Sequence, residues 1–303
     1  MSIRAAIISF VIRHTMKKQF ANIGDVEAFR RRMQTSTRMM PSIPDHVSCS
    51  PVDAGGVACE WIVSDEADPD RVLMYLHGGG YVFGGPDSHR DLASRLSEAA
   101  GMQVLLVDYR LAPESPFPMA LEDATDCYRW LLGEGFDPVR IAIGGDSAGG
   151  GLTVATMVNL KNLGLPLPAA AILLSPWTDL SGSGDSVAEN ETADPMLSAA
   201  ALDTFAGLYL GDRDRRAPLA SPLFADLAGM PPVLVQVGST EILLSDAHRL
   251  VAKLREAGGK ALIDVWPKMP HVFQVLAARI PEGKQAIIQL GEFLKSHTGE
   301  HHG

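Results

Sequence analysis

Ile141-Ala142-Ile143-Gly144-Gly145-Asp146-Ser147-Ala148-Gly149-Gly150-Gly151-Leu152 is the stretch on which the reading of this chain turns. An apolar run of β type passes through G-x-S-x-G directly into a helical pattern that continues to Leu163. A strand that turns so sharply into a helix holds its central serine in a strained conformation. The flanking positions must be glycine, because a Cβ there would collide with the neighbouring strand or helix. Gly145 and Gly149 meet that need. The turn lifts the Ser147 hydroxyl out of the sheet and sets it at a helix N-terminus, where the dipole favours developing negative charge. Ser147 is therefore expected to be a nucleophile. Phosphate binding by the same glycines is disfavoured. Gly151 precedes Leu152 rather than Lys-Ser or Lys-Thr, and neither glycine cluster contains G-x-G-x-x-G.

Outward from this turn, from about Trp61 onward, short apolar runs alternate with longer helical patterns, as in βα units stacked around a mostly parallel sheet. Strands are expected at 72–76, 104–108, 141–144, 170–174, 233–237 and 262–265, apolar on both faces as buried parallel strands are. Helices are expected at 90–100, 121–132, 152–163, 246–257 and 281–296, on both faces of the sheet, the last opening with Pro281. Two segments break the alternation. Residues 1–45 look helical and apolar, and residues 181–223 contain a helical pattern at 197–210. Both are read as a helical cap over a site beyond the carboxyl ends of the strands. The expected division is a cap at 1–45, a catalytic domain at 46–180 and 224–303, and a cap insertion at 181–223.

His77-Gly78-Gly79-Gly80 follows the strand at 72–76. Acyl transfer passes through a tetrahedral intermediate whose oxygen becomes negative, and free main-chain N–H groups stabilise it without reorganising. The N–H groups of Gly79, Gly80 and Ala148 are the expected oxyanion hole, with His77 as a brace for the loop. The base should follow the last strand and the acid, in the order Ser, Asp or Glu, His. His271 alone does so, in the loop that runs through Pro267 and Pro270 after the last strand. His14, His46 and His89 precede the nucleophile, and His248 lies in a helical pattern; surface or ordinary packing accounts for them. Glu241 and Asp246 both qualify as the acid. Glu241 is favoured because it is nearer the strand end, whereas Asp246 is placed to cap the next helix. With neutral His271 as base, activity should rise above an ordinary imidazole pKa of ~6.5 and fall in acid.

The 303 residues allow one large α/β domain with an appended element. A hydrophobic fraction of 46% with 20% charged residues is ordinary for a folded soluble protein. The net charge of -10 works against nucleic acid and anionic membrane, so neither is expected as a partner. Cys49, Cys59 and Cys127 lack C-x-x-C spacing and are read as buried thiols in a reducing compartment, the cytoplasm, with no metal site. The apolar run at 5–12 is interrupted by Arg13 and is far shorter than the ~20 residues of a membrane span, so it is read as a helix of the folded protein. The tail at 300–303 is expected to fray rather than bind metal.

Together His77-Gly78-Gly79-Gly80-Tyr81, Asp108-Tyr109-Arg110-Leu111-Ala112-Pro113-Glu114, Gly145-Asp146-Ser147-Ala148-Gly149-Gly150, Ser175-Pro176-Trp177, Asp194-Pro195-Met196 and His271-Val272-Phe273 resemble the bacterial hormone-sensitive lipase family of esterases. The resemblance covers residue 60 to the C-terminus. It implies an α/β-hydrolase fold with an eight-stranded mixed sheet, a cap made of the N-terminal helices and the insertion, hydrolysis of short acyl esters, and a homodimer through the sheet edge. It also places the chain in the subgroup with Gly-Asp-Ser-Ala-Gly at the elbow. Many relatives carry aspartate in D-x-L where this chain has Glu241-Ile242-Leu243. The expected substrate is a small-molecule ester with an acyl chain of about two to eight carbons, with Phe10, Phe20 and Phe29 contributing to an apolar pocket. No cofactor is required. The alternatives are an amidase or acyltransferase with the same triad, a hydrolase-like binding protein without catalysis, and a structural scaffold.

Overall fold

In the computed structural model, which describes residues 1–20, 23–37 and 41–299, the chain opens with two helices, α1 (Ile3–Phe20) and α2 (Val26–Thr37). There follow β1 (Val47–Asp53), β2 (Ala58–Ser64), β3 (Asp68–Leu76), α3 (Pro86–Ala100), β4 (Met102–Val107) and α4 (Met119–Gly133). The elbow joins β5 (Ile141–Asp146) to α5 (Ala148–Asn162), and β6 (Ala170–Leu174) leads to α6 (Ser186–Glu189) and α7 (Ala199–Leu210). The chain closes with β7 (Val233–Gly238), α8 (Leu244–Glu256), β8 (Ala261–Trp266) and α9 (Pro281–Thr298). The tail at 300–303 lies outside the described residues.

These strands form one eight-stranded sheet in the order β1-β2-β4-β3-β5-β6-β7-β8. β1 and β2 pair antiparallel, as do β2 and β4; every other neighbouring pair is parallel. The chain is an α/β-hydrolase fold. The central strands β5, β6 and β7 are buried at every residue, because helices cover both faces. Side chains alternate along β3. Val72, Met74 and Leu76 enter one layer of core with α4, α5 and α8, while Leu73 and Tyr75 enter the other with Leu92 and Leu96 of α3 and Leu290 and Leu294 of α9.

The hairpin β1–β2 lies outside the expected strands. β1 is an edge strand with only Val47 buried, and it carries Pro51, so it has no apolar run to signal it. Its turn is made by Gly55 and Gly56, with the Asp53 carboxylate accepting the Gly56 N–H at 2.6 Å. The same exposure corrects the reading of the cysteines: Cys49, on β1, faces solvent, whereas Cys59 and Cys127 are buried.

The two segments read as a cap meet over the loop that follows β3. Phe29 of α2 lies 5.2 Å from Phe83, ring centre to ring centre, and Phe205 of α7 lies 5.9 Å from the same ring. Phe20, at the end of α1, is 5.7 Å from Phe83 and 6.1 Å from Phe205. α7 begins where the Ser198 hydroxyl accepts the Ala201 N–H, an N-cap that shortens the expected helix by two residues. Phe10 does not join this cluster but is exposed.

Candidate active site

Ser147 stands between β5 and α5 with φ 53° and ψ −119°, a conformation that costs a non-glycine residue energy and is held by its surroundings. Its N–H donates to Leu174 O at 2.8 Å. A Cβ on Gly149 would lie 2.0 Å from Leu76 O, so only glycine lets α5 start this close to β3. The Ser147 hydroxyl is 2.8 Å from Nε2 of His271, and Nδ1 of the same ring is 2.7 Å from Oε2 of Glu241. Because a carboxylate only accepts, the ring proton belongs on Nδ1, and Nε2 is left to accept from the serine.

Loops at the carboxyl ends of β5, β7 and β8 deliver this line. Glu241 is fully buried just after β7, where its Oε1 accepts the Gly238 N–H at 2.5 Å and the Ser175 hydroxyl at 2.8 Å. Ser175 follows β6, and its oxygen also accepts the Val272 N–H at 3.1 Å. Ser175 and Val272 both have φ 48°, a left-handed conformation that a β-branched residue adopts only under constraint. Burial pushes the His271 ring toward its neutral form, but the bond to Glu241 and its charge, with the charges of Asp194 and Asp146, outweigh it. The net shift is upward from the ordinary value.

Asp246, the alternative acid, does not touch His271. It also does not cap α8. Its Oδ2 accepts the N–H groups of Thr178 and Asp179 at 2.8 and 2.9 Å, and its Oδ1 meets Arg249 at 2.9 Å. α8 begins at Leu244, so Asp246 sits inside the first turn and points across to the chain leaving β6. Burial raises its pKa to about 6 against the opposing charge of Arg249.

The N–H groups of Gly79, Gly80 and Ala148 find no acceptor among the described residues and remain available. Gly78 is different, because its N–H donates to Oδ1 of Asp146 at 3.0 Å. Gly80 has φ +61°, and a Cβ there would come within 2.7 Å of the Phe205 ring. His77 is buried with its Nδ1 2.7 Å from Gly78 O, and it stacks on Tyr109 at 4.2 Å and 8°. Burial, reinforced by His89, drives its pKa down to about 3, so the ring is neutral and not a proton carrier at neutral pH.

Sequence reasoning overlooked the buried group behind this loop. Oδ1 of Asp146 accepts from Tyr75 OH at 3.0 Å and meets Nε2 of His89 at 3.2 Å. Burial opposes the charge on both partners, yet their mutual attraction and the added bonds lower the pKa of Asp146 and raise that of His89. His89 had only ordinary packing to recommend it, and Asp146 only its place in the elbow motif. Nothing in their spacing signals that they meet. Asp194 is a second such case: its carboxylate accepts the N–H groups of Met196, Leu197 and Ile242 at 2.7, 2.9 and 2.9 Å, bracing the residue next to Glu241.

The N-terminal helices are tied to both loops. The Arg30 guanidinium donates to Val82 O and Ala112 O, each at 2.7 Å, and forms a fork with Glu114 at 2.8 and 2.7 Å. Lys17 donates to Glu191 O and Asp194 O at 2.5 and 2.9 Å, and Arg13 to Thr192 O and Ala193 O at 2.6 Å each.

Residues 73–275 match the family described as alpha/beta hydrolase fold. An acetyl-hydrolase of Streptomyces hygroscopicus is 46% identical over 249 residues, 82% of this chain and 83% of that protein. The crystal structure of an esterase from the bacterial hormone-sensitive lipase family superposes with a TM-score of 0.94 at 46% identity, covering 99% of each chain. That of EstE5 soaked with p-nitrophenyl butyrate does so with a TM-score of 0.92 at 37% identity, covering 98% of this chain and 99% of that one.

Proposed function

The chain belongs to the bacterial hormone-sensitive lipase family of α/β-hydrolases and is an esterase, and from that premise we propose that it cleaves short- to medium-chain acyl esters through Ser147, His271 and Glu241. The observation that carries this reading is the unbroken hydrogen-bonded line from the serine hydroxyl through both imidazole nitrogens to the glutamate, at 2.8 and 2.7 Å.

In the first half-reaction Ser147 Oγ bonds to the ester carbonyl carbon while Nε2 of His271 takes its proton. The carbonyl oxygen becomes negative and is met by the N–H groups of Gly79, Gly80 and Ala148, donors that contribute roughly 2.7 to 4 kcal/mol each in comparable sites. Collapse breaks the bond to the alcohol oxygen, which leaves with the proton from Nε2. Water then attacks the acyl-enzyme, giving its proton to His271, and the acid departs as Ser147 is reprotonated. Glu241 holds the ring proton on Nδ1 and stabilises the imidazolium that forms twice per turnover.

The preference for short chains is supported by the cap. Phe205 packs against Gly80, and Phe29, Phe83 and Phe20 close behind it, so the apolar space beside the oxyanion loop is filled by rings. The acetyl-hydrolase relative and the butyrate ester soaked into EstE5 are in keeping with that size. A series of p-nitrophenyl esters tests it: kcat/KM is expected to peak between about two and eight acyl carbons, and a peak at longer chains contradicts it.

A further inference from the structure

α1 carries large apolar side chains on both of its sides. Toward the protein, Ala5 and Phe20 are buried while Ile8 and Met16 pack against the core. Away from it, Ile3, Ile7, Phe10 and Val11 recur at three- and four-residue spacing, which puts them on one face, and they are 81%, 59%, 64% and 51% exposed. Of the ten large hydrophobic side chains exposed among the described residues, Met1 and these four make up half. That is a patch rather than scatter, and an apolar patch held in water marks a contact surface.

Charge narrows what the contact is with. Residues 1–24 contain Arg4, Arg13, Lys17 and Lys18 and no Asp or Glu, in a chain whose net charge is -10. Arg4 and Lys18 are on the exposed side of the helix. Beside the start of α1 lies an open, mostly apolar groove of about 450 Å³ lined by Ile3, Ala277, Ile280 and Pro281, with Arg4 and Lys284 also on its lining. Glu282, in the first turn of α9, accepts from the Ser2 hydroxyl at 2.9 Å. Two copies meeting symmetrically through this face would bring like charges together, whereas an anionic surface complements it. No helix among the described residues is long and apolar enough to cross a membrane.

We propose that the outward face of α1 and the groove beside it, with Arg4 and Lys284, form a docking surface for an anionic lipid bilayer. The overall negative charge, which led to the expectation of no membrane partner, disfavours nonspecific approach to such a surface and so favours docking through the basic N-terminal segment. α1 ends in Phe20, packed on Phe83, so docking brings the bilayer to the helix that borders the active site.

The test is co-sedimentation of the full chain carrying Ser147→Ala with vesicles of phosphatidylcholine alone or mixed with phosphatidylglycerol, at low and high salt. Because no turnover is read, the result does not depend on the catalytic assignment. Partitioning is expected only onto the phosphatidylglycerol vesicles and is expected to weaken with salt. Ile7→Ser with Phe10→Ser, and separately Arg4→Glu with Lys284→Glu, should each weaken it by about tenfold or more. The same pairs in the wild-type background should leave hydrolysis of a water-soluble ester unchanged. Absence of binding, equal binding to both vesicle types, or unchanged binding by both double variants overturns the proposal. So does a dimer in lipid-free solution that the Ile7→Ser, Phe10→Ser pair dissolves, which would assign the face to a second copy.

Discussion

The Ser175 hydroxyl donates to Oε1 of Glu241 at 2.8 Å, and its own oxygen accepts the N–H of Val272, the residue after His271, at 3.1 Å. One side chain at the end of β6 thereby sets the distance between the proposed acid and the proposed base. Its removal should be felt in chemistry before it is felt in folding. Ser175→Ala is expected to lower kcat by roughly tenfold to a hundredfold, the equivalent of losing a hydrogen bond to a charged group, with KM little changed. Steady-state kinetics beside a thermal unfolding curve checks it; an unaltered kcat removes Ser175 from the account.

The pH profile should report Glu241. Burial alone lowers the His271 pKa, and Glu241 more than reverses this, so the acid limb of kcat/KM in the wild type should have its midpoint above ~6.5. Glu241→Gln leaves burial in place and removes the charge. Its midpoint should move down, while the rate on the plateau falls because Gln also fails to hold the tautomer. A profile that is flat, or that does not move in the variant, contradicts the relay.

Asp146→Asn tests the group behind the oxyanion loop. It leaves His89 buried without its counter-charge and weakens the tie to Gly78. Removing one member of a buried pair costs about 3 to 5 kcal/mol, so the unfolding midpoint in denaturant should fall clearly. kcat should fall more than KM rises, because the loop that the tie positions meets the oxyanion only in the transition state.

Asp246 should matter for stability and not for the acid limb. Asp246→Asn is expected to destabilise by loosening Thr178 and Asp179 while leaving the midpoint of the pH profile in place. Because burial raises this pKa to about 6, the native state holds the proton more tightly than the unfolded chain. The group's contribution to stability is therefore largest below ~3.9 and declines as pH rises to about 6. The penalty of the substitution should accordingly shrink over that range, as denaturant titrations at several pH values would show.

What could be read from the chain follows what local patterns encode. The elbow and the strands around it were legible because β5, β6 and β7 are buried on both faces and so are written as unbroken apolar runs. β1 was not, because an edge strand carrying Pro51 and facing solvent has no such run. Glu241 and Asp246 stood in one loop with equal chemistry. Proximity to the strand end favoured Glu241, and the start of α8 at Leu244, which turns Asp246 toward Thr178, is what takes the second acid away from His271. The pairing of His89 with Asp146 and the placement of Asp194 beneath Ile242 are long-range meetings with no spacing to announce them. The outward face of α1 was present as an apolar stretch, but its exposure is a property of packing.

The most direct measurement is the mass of the protein after reaction with an aryl alkylphosphonate ester, with the site located by peptide mapping. One phosphonyl group is expected on Ser147, formed in step with loss of esterase activity, and none on Ser147→Ala, which should be inactive. Full turnover by Ser147→Ala, or inactivation that maps to another residue, would contradict the account.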